Sequence, residues 1–320
     1  MDKNTILAKA SHLTKEYPAG RGKKVHAVSD VSLTVYEGET LGIVGESGCG
    51  KSTLGNMIVN LVQPTSGELF LMGEKVTGLS DRDYMRFRRQ VQLIFQDTYA
   101  SLDPRMTVRD IIAEPLETWH VCPDAQATTA KVLELMEAVG LPAEYLDRYP
   151  HQFSGGQRQR IGIARAIAAD PALIVCDEPV SALDVSVQNQ ILNLLKDMQK
   201  KRGLTYLFIS HDLSVIRYIS DRVGVLFLGK LCELGDTQEI FHAPMHPYTR
   251  FLLNAIPKPD PRKRDETLEL MQGEIPSPVD LPSGCCFHTL CPYATEECRT
   301  KEPALTENNG RMVACHHPRL

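Results

Sequence analysis

The sequence predicts an α/β fold built around a mainly parallel sheet, and two observations support this class. Short, fully apolar runs recur along the chain, and such runs are typical of strands buried on both faces of a sheet. These runs are Thr40–Val44, Val91–Phe95, Leu173–Cys176, Thr205–Ser210 and Val223–Leu228. Helical patterns separate them, as where Ile191, Leu195 and Met198 recur at helical spacing before Gly203. Alternation of buried strands with helices favours parallel pairing.

The remaining regions have different patterns. The first 35 or so residues alternate in polarity, which predicts antiparallel strands at one edge of the structure. Residues 97–160 lack strong strand runs, so we expect them to be mostly helical. Prolines and charges over 257–264 indicate a linker, and a small region rich in cysteine and proline follows. We therefore expect a main domain over 1–255 and a C-terminal module over 256–320.

The composition is typical of a globular protein and excludes several classes. Of the 320 residues, 42% are hydrophobic and 23% are charged, and the net charge is −5. An acidic balance argues against a general nucleic-acid binder, so no nucleic-acid partner is expected. No apolar run approaches the roughly 18 residues of a membrane span, and the first residues lack a signal-peptide core. We expect a cytosolic protein whose membrane role, if any, depends on a partner.

A glycine-rich segment matches the phosphate loop G-x-x-x-x-G-K-[ST]. Its residues are Gly45, Glu46, Ser47, Gly48, Cys49, Gly50, Lys51, Ser52 and Thr53. The segment follows an apolar strand and precedes a predicted helix, which is the context that the motif requires. Backbone N–H groups would hold phosphates, Lys51 would reach the β- and γ-phosphates, and Ser52 would ligate Mg²⁺. A chance glycine-rich turn is the alternative.

Polar side chains follow three other predicted strands. Asp177 and Glu178 end an apolar run, at the sheet edge where α/β proteins bind ligands. Asp177 could hold Mg²⁺ through water, and Glu178 could act as general base on an attacking water. His211 could contact a γ-phosphate, and Gln96 could ligate Mg²⁺ or hold the water. The alternative for each is a turn residue with no role in the chemistry.

Ser154, Gly155, Gly156 and Gln157 precede another predicted helix. Glycines allow backbone N–H groups to approach an anion, and a helix N-terminus adds partial positive charge. A flexible turn explains this tetrapeptide equally well when it is considered alone. Its position among the other motifs favours the anion-binding interpretation.

Taken in order, these motifs resemble the nucleotide-binding subunit of ATP-binding cassette (ABC) transporters, over about residues 5–255. The resemblance implies a P-loop NTPase (RecA-like) core with an antiparallel β edge subdomain, an inserted α-helical subdomain at about 97–160 and the small Cys-rich module. It implies catalytic roles for Glu178, His211, Gln96 and Lys51, with Mg²⁺ held through Ser52, Gln96 and Asp177. It implies ATP contacts from Tyr17, the whole phosphate loop Gly45–Thr53, Gln96, Asp177, Glu178 and His211. It also implies that Ser181, Ala182, Leu183 and Asp184 form the loop after the acidic pair. Phe153 stands where the family usually has Leu.

The resemblance also implies how ATP is used and with which partners. Two cassettes would pair head to tail, with ATP between the phosphate loop of one protomer and Ser154–Gln157 of the other. Residues 99–105 would contact a membrane partner. The implied partners are two permease subunits, an extracytoplasmic substrate-binding protein and a second ATPase, with a heterodimer favoured over a homodimer. The implied location is the cytoplasmic face of the plasma (inner) membrane.

The cysteines are concentrated in the tail. Five of the nine lie at Cys285, Cys286, Cys291, Cys298 and Cys315. A cytosolic chain should not hold structural disulfides, so the cluster favours a metal site. The spacing C-x5-C-x6-C-x16-C is looser than that of zinc knuckles and suits a [4Fe–4S] cluster, with zinc or no metal as alternatives.

The tail and the segment 246–249 (His-Pro-Tyr-Thr) resemble those of oligopeptide/dipeptide importer ATPases, a subgroup that includes nickel importers. The resemblance implies that Cys285, Cys291, Cys298 and Cys315 hold the iron–sulfur cluster. Cys286 is an additional thiol, so either member of the adjacent pair could be the ligand. The alternatives to a peptide importer are a nickel or other small-solute importer, a soluble non-transport cassette ATPase, an exporter and an iron–sulfur redox protein.

Overall fold

A computed structural model describes residues 5–20, 22–97, 99–256 and 273–318. The chain forms two compact units. The first comprises Met1–Leu7, Tyr36–Gly38 and Gly78–Leu207, of which residues 1–4 and 98 lie outside the described part. The second comprises Ala8–Val35, Glu39–Thr77 and Phe208–Leu320.

The strands and helices follow in chain order. The strands are β1 (Ile6–Pro18), β2 (Lys24–Tyr36), β3 (Thr40–Val44), β4 (Ser66–Leu71), β5 (Glu74–Lys75), β6 (Val91–Ile94), β7 (Leu173–Asp177), β8 (Thr205–Ser210), β9 (Arg222–Phe227), β10 (Lys230–Asp236), β11 (Thr306–Asn308) and β12 (Arg311–Val313). The α-helices are α1 (Lys51–Ile58), α2 (Asp81–Gln90), α3 (Val108–Thr118), α4 (Ala125–Ala138), α5 (Gly155–Ala168), α6 (Val185–Arg202), α7 (Leu213–Ile219), α8 (Thr237–His242), α9 (Pro247–Asn254) and α10 (Glu296–Thr300).

The first unit contains the predicted helical region. Helices α3, α4 and α5 pack against one another, and the described residues between 97 and 160 contain no strand, as the sequence predicts. Local chemistry fixes the helix ends, since Thr107 and Asp110 form a reciprocal capping box at the start of α3. Strands β6 and β7 pair in parallel, which confirms the parallel pairing expected for buried apolar strands.

The second unit contains two sets of paired strands. Strand β3 pairs in parallel with β9, and β9 pairs with β10 in the antiparallel direction. The alternating N-terminal region forms a four-stranded sheet in the order β2-β1-β4-β5, and β1 and β4 are antiparallel. The antiparallel edge predicted from the first 35 residues is therefore present, and β4 and β5 complete it.

The described part of the tail extends the strands of the second unit. Strand β12 pairs with β10, and β11 pairs with β12. Arg311 of β12 is 5% exposed, and its Nη1 lies 3.7 Å from Oε1 of the fully buried Glu233 of β10. The same Nη1 donates to the carbonyl oxygen of Ala243 at 2.6 Å. No strand is predicted here from the sequence. The predicted linker over 257–264 lies outside the described residues.

None of the helices in the described parts of the chain has the length and apolar character needed to cross a membrane.

Candidate nucleotide-binding site and cysteine cavity

The phosphate loop lies between β3 and α1 in the second unit, as predicted. Gly48 and Gly50 have positive φ angles of 78° and 103°, a conformation that favours glycine. A Cβ at Gly45 would collide with the carbonyl oxygen of Leu226, and one at Gly50 would collide with that of Ala27. The glycines are therefore needed both for the turn and for its close approach to neighbouring backbone.

Lys51 is the first residue of α1 and is only 4% exposed. Its Nζ donates to the carbonyl oxygens of Gly45 at 2.9 Å and Glu46 at 2.8 Å. The ammonium group is thus held over the loop by two backbone acceptors. Burial raises the pKa of Glu46, although the charge of Lys51 opposes that shift.

The first unit holds the acidic pair. Asp177 is the last residue of β7, and Glu178 follows it with a φ of 45°, an unusual conformation for a residue with a side chain. The Nε2 of Gln96 donates to Oε2 of Glu178 at 3.1 Å. The structure therefore brings together the predicted general base and the amide predicted to hold the attacking water. Strained backbone of this kind is often found at functional sites.

The tetrapeptide Ser154–Gln157 forms a capping box at the start of α5. The Ser154 hydroxyl accepts from the Gln157 N–H at 3.3 Å, and the Gln157 Oε1 accepts from the Ser154 N–H at 3.0 Å. Gly156 is buried, and a Cβ there would collide with Cγ1 of Val187. Helix capping and close packing on α6 account for these residue types locally. The exposed Ser154 also leaves this helix N-terminus accessible to an anion.

The remaining predicted residues lie in both units. The Ser181 hydroxyl donates to the Glu178 carbonyl at 3.1 Å, and Asp184 caps α6 by accepting from the Val187 N–H at 3.0 Å. In the second unit, His211 is exposed just after β8. Tyr17 lies in β1, with the Lys15 Nζ 5.1 Å from its ring centre.

The four predicted cluster cysteines line one small cavity. Its volume is about 20 Å³, and four histidines also line it. The cysteines are Cys285, Cys291, Cys298 and Cys315, and the histidines outside the HPYT segment are His288, His316 and His317. Burial raises the pKa of Cys285 to about 12. Within the described residues no three His, Cys, Asp or Glu side chains have an arrangement that could hold a metal, and no cysteine forms a disulfide. The predicted iron–sulfur site is therefore not confirmed.

The adjacent residues Cys285 and Cys286 differ in the cavities that they line, because Cys285 lines two and Cys286 lines one of these. Cys286 is absent from the four-cysteine cavity and instead lines a second cavity of about 190 Å³ together with Cys232 and Lys230. The Sγ of Cys286 lies 4.0 Å from the carbonyl oxygen of Phe227. The structure thus favours Cys285 as the member of the pair that faces the other three cysteines.

The three lining histidines outside the segment 246–249 have polar partners elsewhere in the module. The contacts are His288 Nδ1 with the Cys285 carbonyl at 2.9 Å, His316 Nε2 with the Lys301 carbonyl at 3.0 Å and His317 Nε2 with the Thr295 hydroxyl at 3.0 Å. Each of these histidine rings therefore has a polar partner other than a cysteine thiol.

One contact of the phosphate loop cannot be predicted from the sequence motifs. The Glu46 N–H donates to the hydroxyl oxygen of Tyr248 at 3.2 Å. In the sequence, the segment 246–249 shows only a resemblance to the oligopeptide/dipeptide importer subgroup. No spacing rule links Tyr248 to a loop 202 residues away.

A buried parallel strand, a glycine-rich loop and a helix that begins with lysine define a P-loop nucleotide-binding protein. A family model described as "ABC transporter" matches residues 28–181, and one described as "Oligopeptide/dipeptide transporter, C-terminal region" matches residues 232–298. The chain belongs to the ABC transporter family, among its ATPases of the oligopeptide/dipeptide type.

Curated relatives and solved structures agree with this family. The oligopeptide transport ATP-binding protein OppF of Escherichia coli is 50% identical over 92% of this chain and 88% of its own length. OppF of Bacillus subtilis is 56% identical over 80% of this chain and 84% of its own. The dipeptide transport ATP-binding protein DppF of Haemophilus influenzae is 48% identical over 98% and 97%. A dimeric ATP-binding cassette solved in a post-hydrolysis state with ADP and Pi is 31% identical, with a TM-score of 0.67 over 72% of this chain and 99% of that one. The predicted cassette fold is confirmed.

Proposed function

We propose that this chain is the ATP-hydrolysing subunit of a membrane importer for dipeptides or oligopeptides. The similarity to oligopeptide and dipeptide transport ATP-binding proteins over most of both chains carries this proposal. The family description of the C-terminal region also favours peptides over nickel as the cargo.

The site residues divide the chemistry of ATP hydrolysis between them. Lys51 and the loop N–H groups bind the phosphates, and Tyr17 stacks on the adenine. Mg²⁺ prefers hard oxygen ligands. Ser52, Asp177 and Gln96 carry such oxygens and would hold the ion. Glu178 takes the proton of the attacking water, while Gln96 and His211 orient that water and the γ-phosphate. Catalysis is mostly positioning and charge neutralisation, as in phosphoryl transfer generally.

Two protomers are needed for a complete site in this proposal. ATP bound at the phosphate loop of one protomer also contacts Ser154–Gln157 of the other, at the exposed N-terminus of α5. The second protomer is a related ATPase subunit in the favoured case. Hydrolysis removes the γ-phosphate that joins the protomers, so the dimer opens.

The membrane partner docks on an exposed aromatic surface of the first unit. Phe95 and Tyr99 are 42% and 64% exposed, and the guanidinium of Arg158 lies 5.7 Å from the Tyr99 ring centre. Phe95 and Tyr99 flank Gln96 in the sequence, so contact with two permease subunits would reach the water-holding amide. The chain then lies at the cytoplasmic face of the inner membrane, and an extracytoplasmic binding protein delivers the peptide.

Co-purification tests the transport proposal. The tagged chain, isolated from gently solubilised membranes of its source cells, should retain two integral membrane subunits. In proteoliposomes, peptide-loaded binding protein should stimulate ATP hydrolysis, whereas Ni²⁺ should not. Recovery of the chain with no membrane protein would contradict the importer function, and stimulation by Ni²⁺ alone would contradict the peptide cargo.

We also propose that Cys285, Cys291, Cys298 and Cys315 hold a [4Fe–4S] cluster. Their loose spacing and their convergence on one cavity support this, and four thiols are the usual ligand set. The cluster would act mainly as a structural clip for a loop-rich module that buries little core. A single zinc ion held by the same four thiols is the alternative.

An iron–sulfur cluster and a zinc ion would give purified protein of different colour and metal content. Anaerobically purified protein should be brown, absorb broadly near about 400 nm and contain about four irons per chain, because thiolate-to-iron transitions colour such clusters. Cys298→Ser should lose the colour, whereas Cys286→Ser, which changes the thiol next to the ligand set, should keep it. A colourless preparation with one zinc per chain would contradict the iron–sulfur assignment.

A further inference from the structure

The hydroxyl of Tyr248 holds one peptide group of the phosphate loop. The Glu46 N–H donates to the Tyr248 oxygen at 3.2 Å, and the carbonyl oxygen of the same peptide group, that of Gly45, accepts from Lys51 Nζ at 2.9 Å. Because a peptide group is planar, a contact at its N–H also fixes the direction of its C=O. Tyr248 therefore fixes the direction of an acceptor that positions the Lys51 ammonium.

Tyr248 is itself held in place by a buried chain of hydrogen bonds. It lies in the first turn of α9, and its N–H donates to Nδ1 of the capping residue His246 at 3.1 Å. The His246 N–H donates to Oε2 of Glu233 at 3.0 Å, and Glu233 is fully buried in β10. Burial raises the pKa of Tyr248, so its hydroxyl stays neutral. The hydroxyl thus reaches the loop from a fixed position.

The ring of Tyr248 also contacts the cysteine-rich tail. Its centre lies 4.6 Å from that of Phe227 and 5.4 Å from that of Phe287, and Phe287 meets Phe227 edge-on at 5.4 Å. Phe287 is 1% exposed and lines the cavity of the four cysteines together with Cys285. Ring pairs at these distances have preferred geometries, so we expect a displacement of Phe287 to shift the Tyr248 ring.

We infer that Tyr248 is a positioning residue for the phosphate loop, and that Phe287 connects this loop through Tyr248 to the cavity of the four cysteines. The inference rests on the proposed ATP site, and it adds a dependence of ATP affinity on the state of the cysteine-rich tail. Tyr248 acts through the Gly45–Glu46 peptide group and Lys51.

Tyr248→Phe tests the first step, because it removes only the hydroxyl and keeps the ring. We expect ATP binding to weaken by about 3- to 10-fold, the usual effect of one lost hydrogen bond. The KM for ATP should rise by a similar factor, while kcat changes by less than about twofold. Titration with MgATP, together with steady-state ATPase assays on the full chain, gives both quantities.

Tyr206→Phe is the matched control. Tyr206 is also fully buried, and its hydroxyl donates to the carbonyl oxygen of Leu195 at 3.1 Å, so the substitution removes one comparable hydrogen bond. Both variants should lose similar thermal stability, but only Tyr248→Phe should lose ATP affinity. Equal ATP affinity of Tyr248→Phe and the wild type would overturn the inference. A wild-type protein that does not bind ATP would instead contradict the proposed function.

A double-variant comparison tests the connection to the tail. Phe287→Leu should weaken ATP binding by about 3-fold in the wild-type background and by little in the Tyr248→Phe background, because coupled residues are not additive. Leu is large enough to keep the site filled, and folding is checked by thermal unfolding. Additive losses in the double variant would overturn the connection through Tyr248.

Discussion

Replacement of Glu178 by Gln should lower ATP turnover by about 100-fold or more while ATP binding is retained. The substitution keeps the shape of the side chain and its proximity to the Gln96 amide, which lies 3.1 Å from the Glu178 Oε2. It removes the carboxylate that would accept the proton of the attacking water, and general-base catalysis of this kind contributes about 10²- to 10⁴-fold. The unusual φ of 45° at this position should be unchanged, so the fold should be preserved.

The same variant should accumulate as an ATP-bound dimer. In the proposed dimer, the γ-phosphate of ATP joins two protomers, so a block at hydrolysis keeps them together. Size-exclusion chromatography with MgATP would detect the dimer. Glu144→Gln is the matched control, since Glu144 is an exposed glutamate of the same unit. It should retain wild-type turnover and show no trapped dimer. Wild-type turnover in Glu178→Gln would rule out this residue as the base.

Much of the fold could be predicted because local patterns determine it. Strands β3 and β8 coincide with predicted apolar runs, and Gly203 ends α6 in the left-handed conformation expected of a glycine cap. The short strands β11 and β12 were missed. Each has three residues, too few for a periodic pattern, and pairing with β10 depends on contacts far apart in the sequence.

The candidate site was predicted as a set of motifs, and its internal geometry was not. The phosphate loop has a strict local spacing, so its residues could be identified from the sequence. The contacts of Glu178 with Gln96 and of Glu46 with Tyr248 join residues 82 and 202 positions apart. Only the packed structure specifies such pairs. The collision of a Gly156 Cβ with Val187 likewise gives that glycine a structural reason that no motif contains.

Lys51→Met should abolish most ATP binding, with an affinity loss of about 10- to 100-fold. Hydrogen bonds from charged groups are worth about 1.5–3 kcal/mol, and the lysine would make such bonds to the phosphates. Met keeps the length of the apolar stem, which matters because Lys51 is 4% exposed and a shorter side chain would leave a gap. Titration of the variant with MgATP measures the loss.

The loss of ATP affinity in Lys51→Met could have two causes. Lys51 Nζ also holds the carbonyl oxygens of Gly45 and Glu46, so its removal could open the loop as well as delete a phosphate contact. A collapsed or opened loop would also lower the midpoint of thermal unfolding, whereas a lost phosphate contact alone would leave it close to that of the exposed-lysine control Lys301→Ala. In the proposed site, the ammonium would reach the phosphates from the position that these carbonyl oxygens fix. Retained ATP affinity in Lys51→Met would show that the loop N–H groups suffice to bind the phosphates. It would contradict the proposed role of Lys51.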